Sequence, residues 1–234
     1  MKSKELTRRI AAIAALAQPL RRRLHDLLAR TGGWASRDDV AAALGIPRSV
    51  AAFHLDKLAD AGLVETHFER TTGRSGPGAG RPSKLYRLSS EEVSVSVPER
   101  RYDLAGSLLA AAVAESTRSE APVGECLKSV ARTAGHALGE EARAASPSGP
   151  GEGRRRAVLD VLASHGYEPE IDQDHEIALM NCPFHRLAEE HRALVCGMNL
   201  AFLDGLLEGA APTPKSAARM DPGPGHCCVR VSGV

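Results

Sequence analysis

The chain has 234 residues and is 43% hydrophobic, which is typical of a globular protein of one large or two modest domains and excludes a largely disordered chain. Its net charge of +1 conceals a division, because residues 1–90 carry 16 basic and 8 acidic side chains whereas residues 91–234 carry 14 and 21. The first part is therefore +8 and the second −7, which indicates that only the first part meets a polyanion.

The apolar runs of the sequence are short, and none reaches 18 residues. We therefore expect no membrane span and, since the opening residues lack a cleavage-site pattern, no signal peptide. A cytoplasmic location follows as an expectation. In that reducing compartment cysteines bind metals or catalyse more often than they form disulfides.

Helix signals follow one another closely in the first part of the chain. Apolar spacing predicts helices over 7–16 and 19–29. Ser36, followed by Asp39, resembles a capping box and predicts a short helix that ends near Leu44. Gly45 supplies a turn, and a longer helix then runs from Pro47 to about residue 62.

Two short strands are predicted next, over 63–68 and 85–88, joined by the Gly- and Pro-rich stretch 73–82. A short helix, a glycine turn, a second helix and a β-hairpin form the order of a winged helix-turn-helix domain. Such a domain places its second helix in the DNA major groove and its hairpin along the sugar–phosphate backbone. We expect it to span residues 1–92.

The candidate DNA-binding residues lie on the second helix and beside the hairpin. Arg48 at the start of that helix can pair with guanine or with phosphate, and Ser49 can donate to a phosphate or a base edge. Phe53 is open to two interpretations, a contact to a thymine methyl or an interface residue. The full predicted set is Arg48, Ser49, Ala52, Phe53, Lys57, Arg70, Arg74, Arg81 and Lys84.

The second part of the chain reads as helices, then strands, then helices, then a strand. Helices are predicted over 104–117, 124–144 and 154–165, a hairpin over 168–171 and 176–181, a helical stretch over 185–209 with a break near His191, and a final strand over 227–231. The fold class is therefore α+β, with a mixed α/β sensor and dimerisation domain containing a small antiparallel sheet at 93–234.

Four of the five cysteines fall within 47 residues, with the spacing Cys182-x13-Cys196-x30-Cys227 and with Cys228 adjacent. Cys182 precedes a predicted helix, whose N-terminus favours a thiolate. Three distant elements could thus converge on one iron–sulfur or zinc site. Adjacent residues of a strand face opposite ways, so only one of the last two cysteines would normally reach it. The fifth, Cys126, is expected to be a buried small hydrophobic residue.

The first part resembles ArsR- and DeoR-like bacterial winged helix-turn-helix regulators. The resemblance is carried by the recognition-helix residues Arg48-Ser49-Val50, His54-Leu55, Leu58 and Ala61-Gly62-Leu63-Val64-Glu65, and by the strand Gly80-Arg81-Pro82-Ser83-Lys84-Leu85-Tyr86-Arg87-Leu88. It implies a homodimer on a palindromic double-stranded operator, with half-sites about one helical turn apart.

The second part resembles the sensor region of the Suf-operon iron–sulfur repressors. The matching residues are Asn181-Cys182-Pro183-Phe184-His185, His191, Leu194-Val195-Cys196, Asn199-Leu200, Gly205-Leu206-Leu207-Glu208-Gly209 and Pro224-Gly225-His226-Cys227-Cys228-Val229. The resemblance implies an iron–sulfur cluster on Cys182, Cys196 and one of Cys227 or Cys228. The fourth ligand is left open among His185, His191 and His226.

These patterns predict a DNA-binding transcriptional regulator, most simply a repressor, whose operator affinity responds to the cluster. Two alternatives remain, a zinc site of Cys182, His185, Cys196 and Cys227, and a sensor domain that binds a small organic effector around packed cysteines. We expect no enzyme, because the sequence contains no nucleophile elbow, phosphate-binding loop or dinucleotide fingerprint.

Overall fold

A computed structural model of the chain describes residues 2–69, 82–145, 152–173, 175–211, 217–223 and 225–232. The chain divides into two compact units, Met1–Val95 and Ser96–Val234. Each unit has its own cluster of buried apolar side chains. The predicted residues Arg70, Arg74 and Arg81 lie outside the described residues.

The first unit combines helices with a small antiparallel sheet. The sheet has the strand order β1-β3-β2, and β2 pairs with β3 from Val64 opposite Leu88 to Glu69 opposite Ser83. The elements in chain order are α1 (Lys2–Ala15), α2 (Pro19–Thr31), β1 (Ala35–Ser36), α3 (Arg37–Leu44), α4 (Arg48–Asp60), β2 (Val64–Glu69) and β3 (Ser83–Leu88).

The predicted capping box sets the start of α3. The Ser36 side chain accepts a hydrogen bond from the Asp39 backbone N–H at 3.2 Å, and the Asp39 carboxylate accepts one from the Ser36 N–H at 2.9 Å. Aspartate thus serves where glutamate is usual. Gly45 ends the helix with a φ of 63°, a left-handed conformation that glycine adopts without steric cost, and the chain turns directly into α4.

The core of the first unit is built mainly from leucine and alanine. Ala51, Leu55 and Leu58 line the inner face of α4 and are inaccessible to solvent, as are Leu24 and Leu28 of α2. Burying a leucine side chain stabilises a fold by about 1.5–3 kcal/mol. Because α4 is held along one face only, its opposite face is free to carry polar residues.

The second unit contains longer helices and a second antiparallel sheet. The sheet has the strand order β4-β5-β7-β6, in which Ile177 pairs with Val231. The elements are α5 (Tyr102–Ser119), α6 (Val123–Ala145), α7 (Glu152–Ser164), β4 (Pro169–Ile171), β5 (Ile177–Leu179), α8 (His185–Glu190), α9 (Arg192–Ala210), β6 (Ala217–Met220) and β7 (Val229–Ser232).

Helices α6 and α9 pack backbone against backbone through four glycines. A Cβ atom added at Gly135 would lie 1.9 Å from the Phe202 carbonyl oxygen, and one at Gly205 would lie 2.0 Å from that of Arg132. Gly139 and Gly209 are equally tight, at 2.2 and 2.1 Å from facing carbonyl oxygens. Only glycine fits at these positions, so the glycines fix how closely the two helices approach.

Helix α9 also has the length and apolar composition of a membrane span, but 67% of the relevant window is buried within the second unit. Core helices satisfy the same criteria. Its apolar character is accounted for by packing against α6.

The second unit corrects two sequence expectations and confirms one. The final strand begins at Val229, so Cys227 and Cys228 lie in the segment before it rather than on it. Strand β6 was not predicted. The break near His191 is confirmed, because α8 ends at Glu190 and α9 begins at Arg192.

Candidate functional site

The outer face of α4 presents polar and aromatic side chains at the end that follows the turn. Arg48 and Ser49 in the first turn are exposed, Ala52 is half-buried, and Phe53 is 58% exposed. Lys57 is exposed farther along and pairs with Asp60 at 3.3 Å. The structure therefore brings the predicted α4 residues onto one accessible surface, with Leu55 and Leu58 holding the helix from behind.

Arg48 already has an intramolecular partner. Its Nε atom lies 2.6 Å from the Asp38 carboxylate of α3, and both side chains are more than half exposed. Exposed ion pairs are weak, so a phosphate or guanine could replace Asp38 as the partner. The pair orients the guanidinium beside the first turn of α4.

Lys84 of β3, one of the predicted DNA-binding residues, is joined to α4. Its ammonium lies 2.7 Å from the Asp56 carboxylate, which also accepts a hydrogen bond from the Tyr86 hydroxyl at 2.9 Å. Partial burial acts to raise the pKa of Asp56, but these hydrogen bonds and the Lys84 charge outweigh it, and the net shift is downward. Asp56 thus ties the hairpin to α4, a role that no short sequence motif signals.

The cysteine site lies where β5 and β7 meet. These strands are antiparallel, so the end of β5 lies beside the start of β7, and the Cys227 N–H donates to the Leu179 carbonyl at 2.7 Å. Cys182 follows β5 by three residues, and Cys196 comes from the early part of α9. The topology therefore gathers cysteines from three separate elements.

The four cysteines fall into two pairs of neighbouring thiols. Cys182 is a neighbour of Cys227, and Cys196 is a neighbour of Cys228. Cys196 and Cys227 are 4% and 2% exposed, while Cys182 and Cys228 are half-buried. All five cysteines are free thiols, and Cys126 is buried in α6 near Ser119, away from this group.

The pKa values of the thiols are shifted in opposite directions. The hydrogen bond from Cys227 lowers the pKa of Cys182 to about 7 against the effect of burial, with the Phe184 backbone N–H and the Arg100 charge acting in the same direction. The same hydrogen bond, together with burial, raises the pKa of Cys227. Burial and the contact with Cys228 raise the pKa of Cys196 to about 12.

Two buried asparagines support the site. Asn199 of α9 donates to the Cys227 sulfur at 3.3 Å and accepts from the Tyr167 hydroxyl at 2.6 Å. Asn181 donates to the Glu99 carbonyl at 2.9 Å and accepts from Arg100, which also donates to the Cys182 carbonyl at 3.1 Å. The sequence signal for Asn199, a polar residue within an apolar helix, was available, whereas Arg100 could be found only from the fold.

An open cavity of about 380 Å³ adjoins these residues. Cys182, Cys227, Cys228, His185 and Arg192 are among the side chains that line it. His185 is half exposed, with Nε2 3.3 Å from Glu189. Among the described residues, no three His, Cys, Asp or Glu side chains converge closely enough to hold one metal ion.

Comparison with known proteins identifies the first unit alone. A family model described as a helix-turn-helix domain matches residues 16–67, which extend from just before α2 into β2. The chain has no significant match among curated proteins or among solved structures. A helix-turn-helix domain indicates a DNA-binding transcriptional regulator.

Proposed function

We propose that this chain is a transcriptional repressor that binds a palindromic operator as a homodimer through a winged helix-turn-helix domain, as the ArsR- and DeoR-like regulators do. The observation that carries the proposal is the exposed face of α4 within the matched helix-turn-helix segment. Arg48 and Ser49 stand at the N-terminal end of α4, where a recognition helix meets base edges and phosphates. In this proposal the β2–β3 hairpin is the wing, and Asp56 sets its position relative to α4.

The electrostatic division of the chain supports the same function. The excess of basic residues is confined to residues 1–90, and neutralised phosphates release counterions in proportion to the number of contacts. Duplex affinity should therefore fall steeply with salt. Because the acidic second unit does not favour contact with DNA, we assign it to sensing and dimerisation. We also propose that the chain has no catalytic activity and that it works in the cytoplasm.

We further propose that the second unit resembles the Suf-operon repressors in function and holds an iron–sulfur cluster. The donor chemistry fits, since Cys182, Cys227 and Cys228 line one cavity, Cys196 is a neighbour of Cys228, and a cluster is held by cysteine thiolates. Cys182, Cys196 and one of Cys227 or Cys228 would hold it, with a fourth ligand from His185, His191 or His226, and the bound group would supply redox-sensitive chemistry at this site.

The chain's own residues prepare this site in distinct ways. Cys182, with a pKa near 7, is readily deprotonated for a metal, and Asn199 fixes the orientation of the Cys227 sulfur. Arg100 holds the Cys182 backbone and places a positive charge beside the thiolates. A zinc ion on Cys182, His185, Cys196 and Cys227 is the alternative, since zinc takes the same thiolate and imidazole ligands.

Regulation requires that occupancy of the site change the free energy of the DNA-binding state relative to the alternative state. The test is affinity for an operator selected from a random duplex pool, measured anaerobically with full-length protein. Reconstituted and iron-free preparations should differ at least fivefold in dissociation constant, a coupling of about 1 kcal/mol. Equal affinities would refute regulation by the cluster while leaving DNA binding intact.

A further inference from the structure

We propose that the segment 96–101, the connector, links occupancy of the cavity beside Cys182 to the DNA-binding unit, with Asn181 and Arg100 as its positioning residues. The connector opens the second unit and directly follows Val95, the last residue of the first unit. This inference rests on the proposed regulation of DNA binding and names the route by which that regulation acts. It holds for any group that occupies the cavity.

Two side chains join the connector to the loop that follows β5. The Asn181 amide donates to the Glu99 carbonyl at 2.9 Å and accepts a hydrogen bond from the Arg100 guanidinium. Arg100 also donates to the Cys182 carbonyl at 3.1 Å. Asn181 is only 8% exposed, so breaking these bonds would leave buried polar groups without partners, which is costly. The connector is therefore held to the loop for as long as the loop keeps this conformation.

The backbone of the connector is fixed as well. The Arg101 N–H donates to the Pro183 carbonyl at 3.1 Å, which extends the contact with the loop by one more residue. The Arg100 N–H donates to the Ser96 hydroxyl at 2.7 Å, so the two ends of the connector are bonded to each other. Helix α5 begins directly afterwards, at Tyr102. A shift of the loop would therefore move the backbone that leads from the first unit into the second.

The cavity beside the cysteines opens onto these same residues. Arg100, Asn181 and Cys182 are all among the residues that line it. A guanidinium has five N–H donors and binds most strongly to anionic acceptors, so a bound group that takes up donors of Arg100 competes with the loop for them. Occupancy of the cavity thus acts on residues that hold the connector. A difference in their bonding between the two states supplies the differential free energy that regulation requires.

The experiment compares the two buried asparagines of this site in the full, iron-free chain. Asn181→Ala removes bonds to the connector, whereas the matched control Asn199→Ala removes bonds to Cys227 and Tyr167. Arg100→Ala is a second connector variant, which carries the test if Asn181→Ala does not fold. Hydrogen–deuterium exchange of peptides that contain 96–101 measures the order of the connector. Urea unfolding measures stability, and fluorescence anisotropy measures affinity for the selected operator.

In Asn181→Ala and Arg100→Ala the connector amides should exchange about tenfold faster than in wild type, and the operator dissociation constant should change by about fivefold or more. Asn199→Ala should lose stability but keep the exchange and the affinity of wild type. If the connector variants bind the operator as wild type does, or if Asn199→Ala changes the affinity equally, the connector is not the route and only the proposed DNA binding stands. A wild type that binds no operator contradicts both proposals.

Discussion

The two units of the chain differ in how deeply their candidate functional residues are buried. In the first unit Arg48, Ser49 and Phe53 are exposed on a helix whose other face alone contributes to the core. In the second unit Cys196 and Cys227 are buried within the core itself, and the polar groups that support them are buried too. A binding surface can therefore change without loss of stability, whereas a change at the buried site affects folding as well as function.

The largest effect is expected at the glycine contact between α6 and α9. Gly205→Ala places a methyl group 2.0 Å from the Arg132 carbonyl oxygen, an overlap that should destabilise the second unit by about 3 kcal/mol. Gly106→Ala on α5 is the matched control, since nothing lies within 4 Å of its added Cβ. Helix propensity should make that variant more stable by up to about 1 kcal/mol. Urea unfolding measures both, and equal midpoints for the two variants would contradict the close packing.

A smaller loss is expected when the support of the cysteine site is removed. Asn199→Ala deprives the Cys227 sulfur of its donor and leaves the Tyr167 hydroxyl buried without its acceptor, at a cost of about 1–3 kcal/mol. Ser49→Ala, on the exposed face of α4, is the comparison and should stay within about 0.5 kcal/mol of wild type. If Asn199→Ala were as stable as Ser49→Ala, the buried site would contribute no more to stability than the exposed surface does, and the contrast between the two units would be wrong.

At the exposed surface, binding should change and stability should not. Arg48→Ala is expected to weaken binding to a selected operator by about 1–3 kcal/mol, with an unfolding free energy within about 0.5 kcal/mol of wild type. Asp38→Asn sharpens the test, because it releases Arg48 from its carboxylate partner and should tighten binding. Fluorescence anisotropy measures the affinities. Unchanged affinity in Arg48→Ala would exclude this residue from the interface.

The smallest effect concerns the acid stability of the first unit. The folded-state pKa of Asp56 lies below its unfolded value, so its contribution is present above about pH 4 and is lost as the pH falls through the folded pKa. Asp56→Asn lacks this contribution. The difference in unfolding free energy between wild type and variant should therefore shrink on acidification from neutral pH, as followed by thermal melts. A difference independent of pH would show that Asp56 does not couple α4 to the hairpin through its charge.

Local signals in the sequence were sufficient for helices α3 and α4 of the first unit. The capping box at Ser36 and Asp39 and the glycine turn at Gly45 depend on residues three or four apart, which is why α3 and α4 could be predicted from spacing. The link from Asp56 to Lys84 and Tyr86 spans about thirty residues and carries no motif. The sequence therefore predicted Lys84 as a candidate DNA contact but gave no sign of its internal carboxylate partner.

The second unit depended on contacts that spacing does not encode. The cysteine positions indicated convergence, but Cys182 and Cys227 are neighbours because β5 and β7 pair antiparallel, and Cys196 comes to Cys228 from α9. Placing Cys227 on a strand was wrong because Val229 is the first residue that pairs with β6. The four glycines of α6 and α9 likewise carry no local signal, because the close contact that requires them joins residues about seventy positions apart.

The most direct test of DNA recognition by the first unit is the salt dependence of duplex binding by the full chain. Affinity for a selected duplex should fall at least tenfold between about 50 and 200 mM salt, and the logarithmic slope should be reduced in Arg48→Ala. The measurement is made on both iron-free and reconstituted protein. If neither form binds any double-stranded fragment at low salt, α4 is not a recognition helix and the assignment as a transcriptional regulator is wrong.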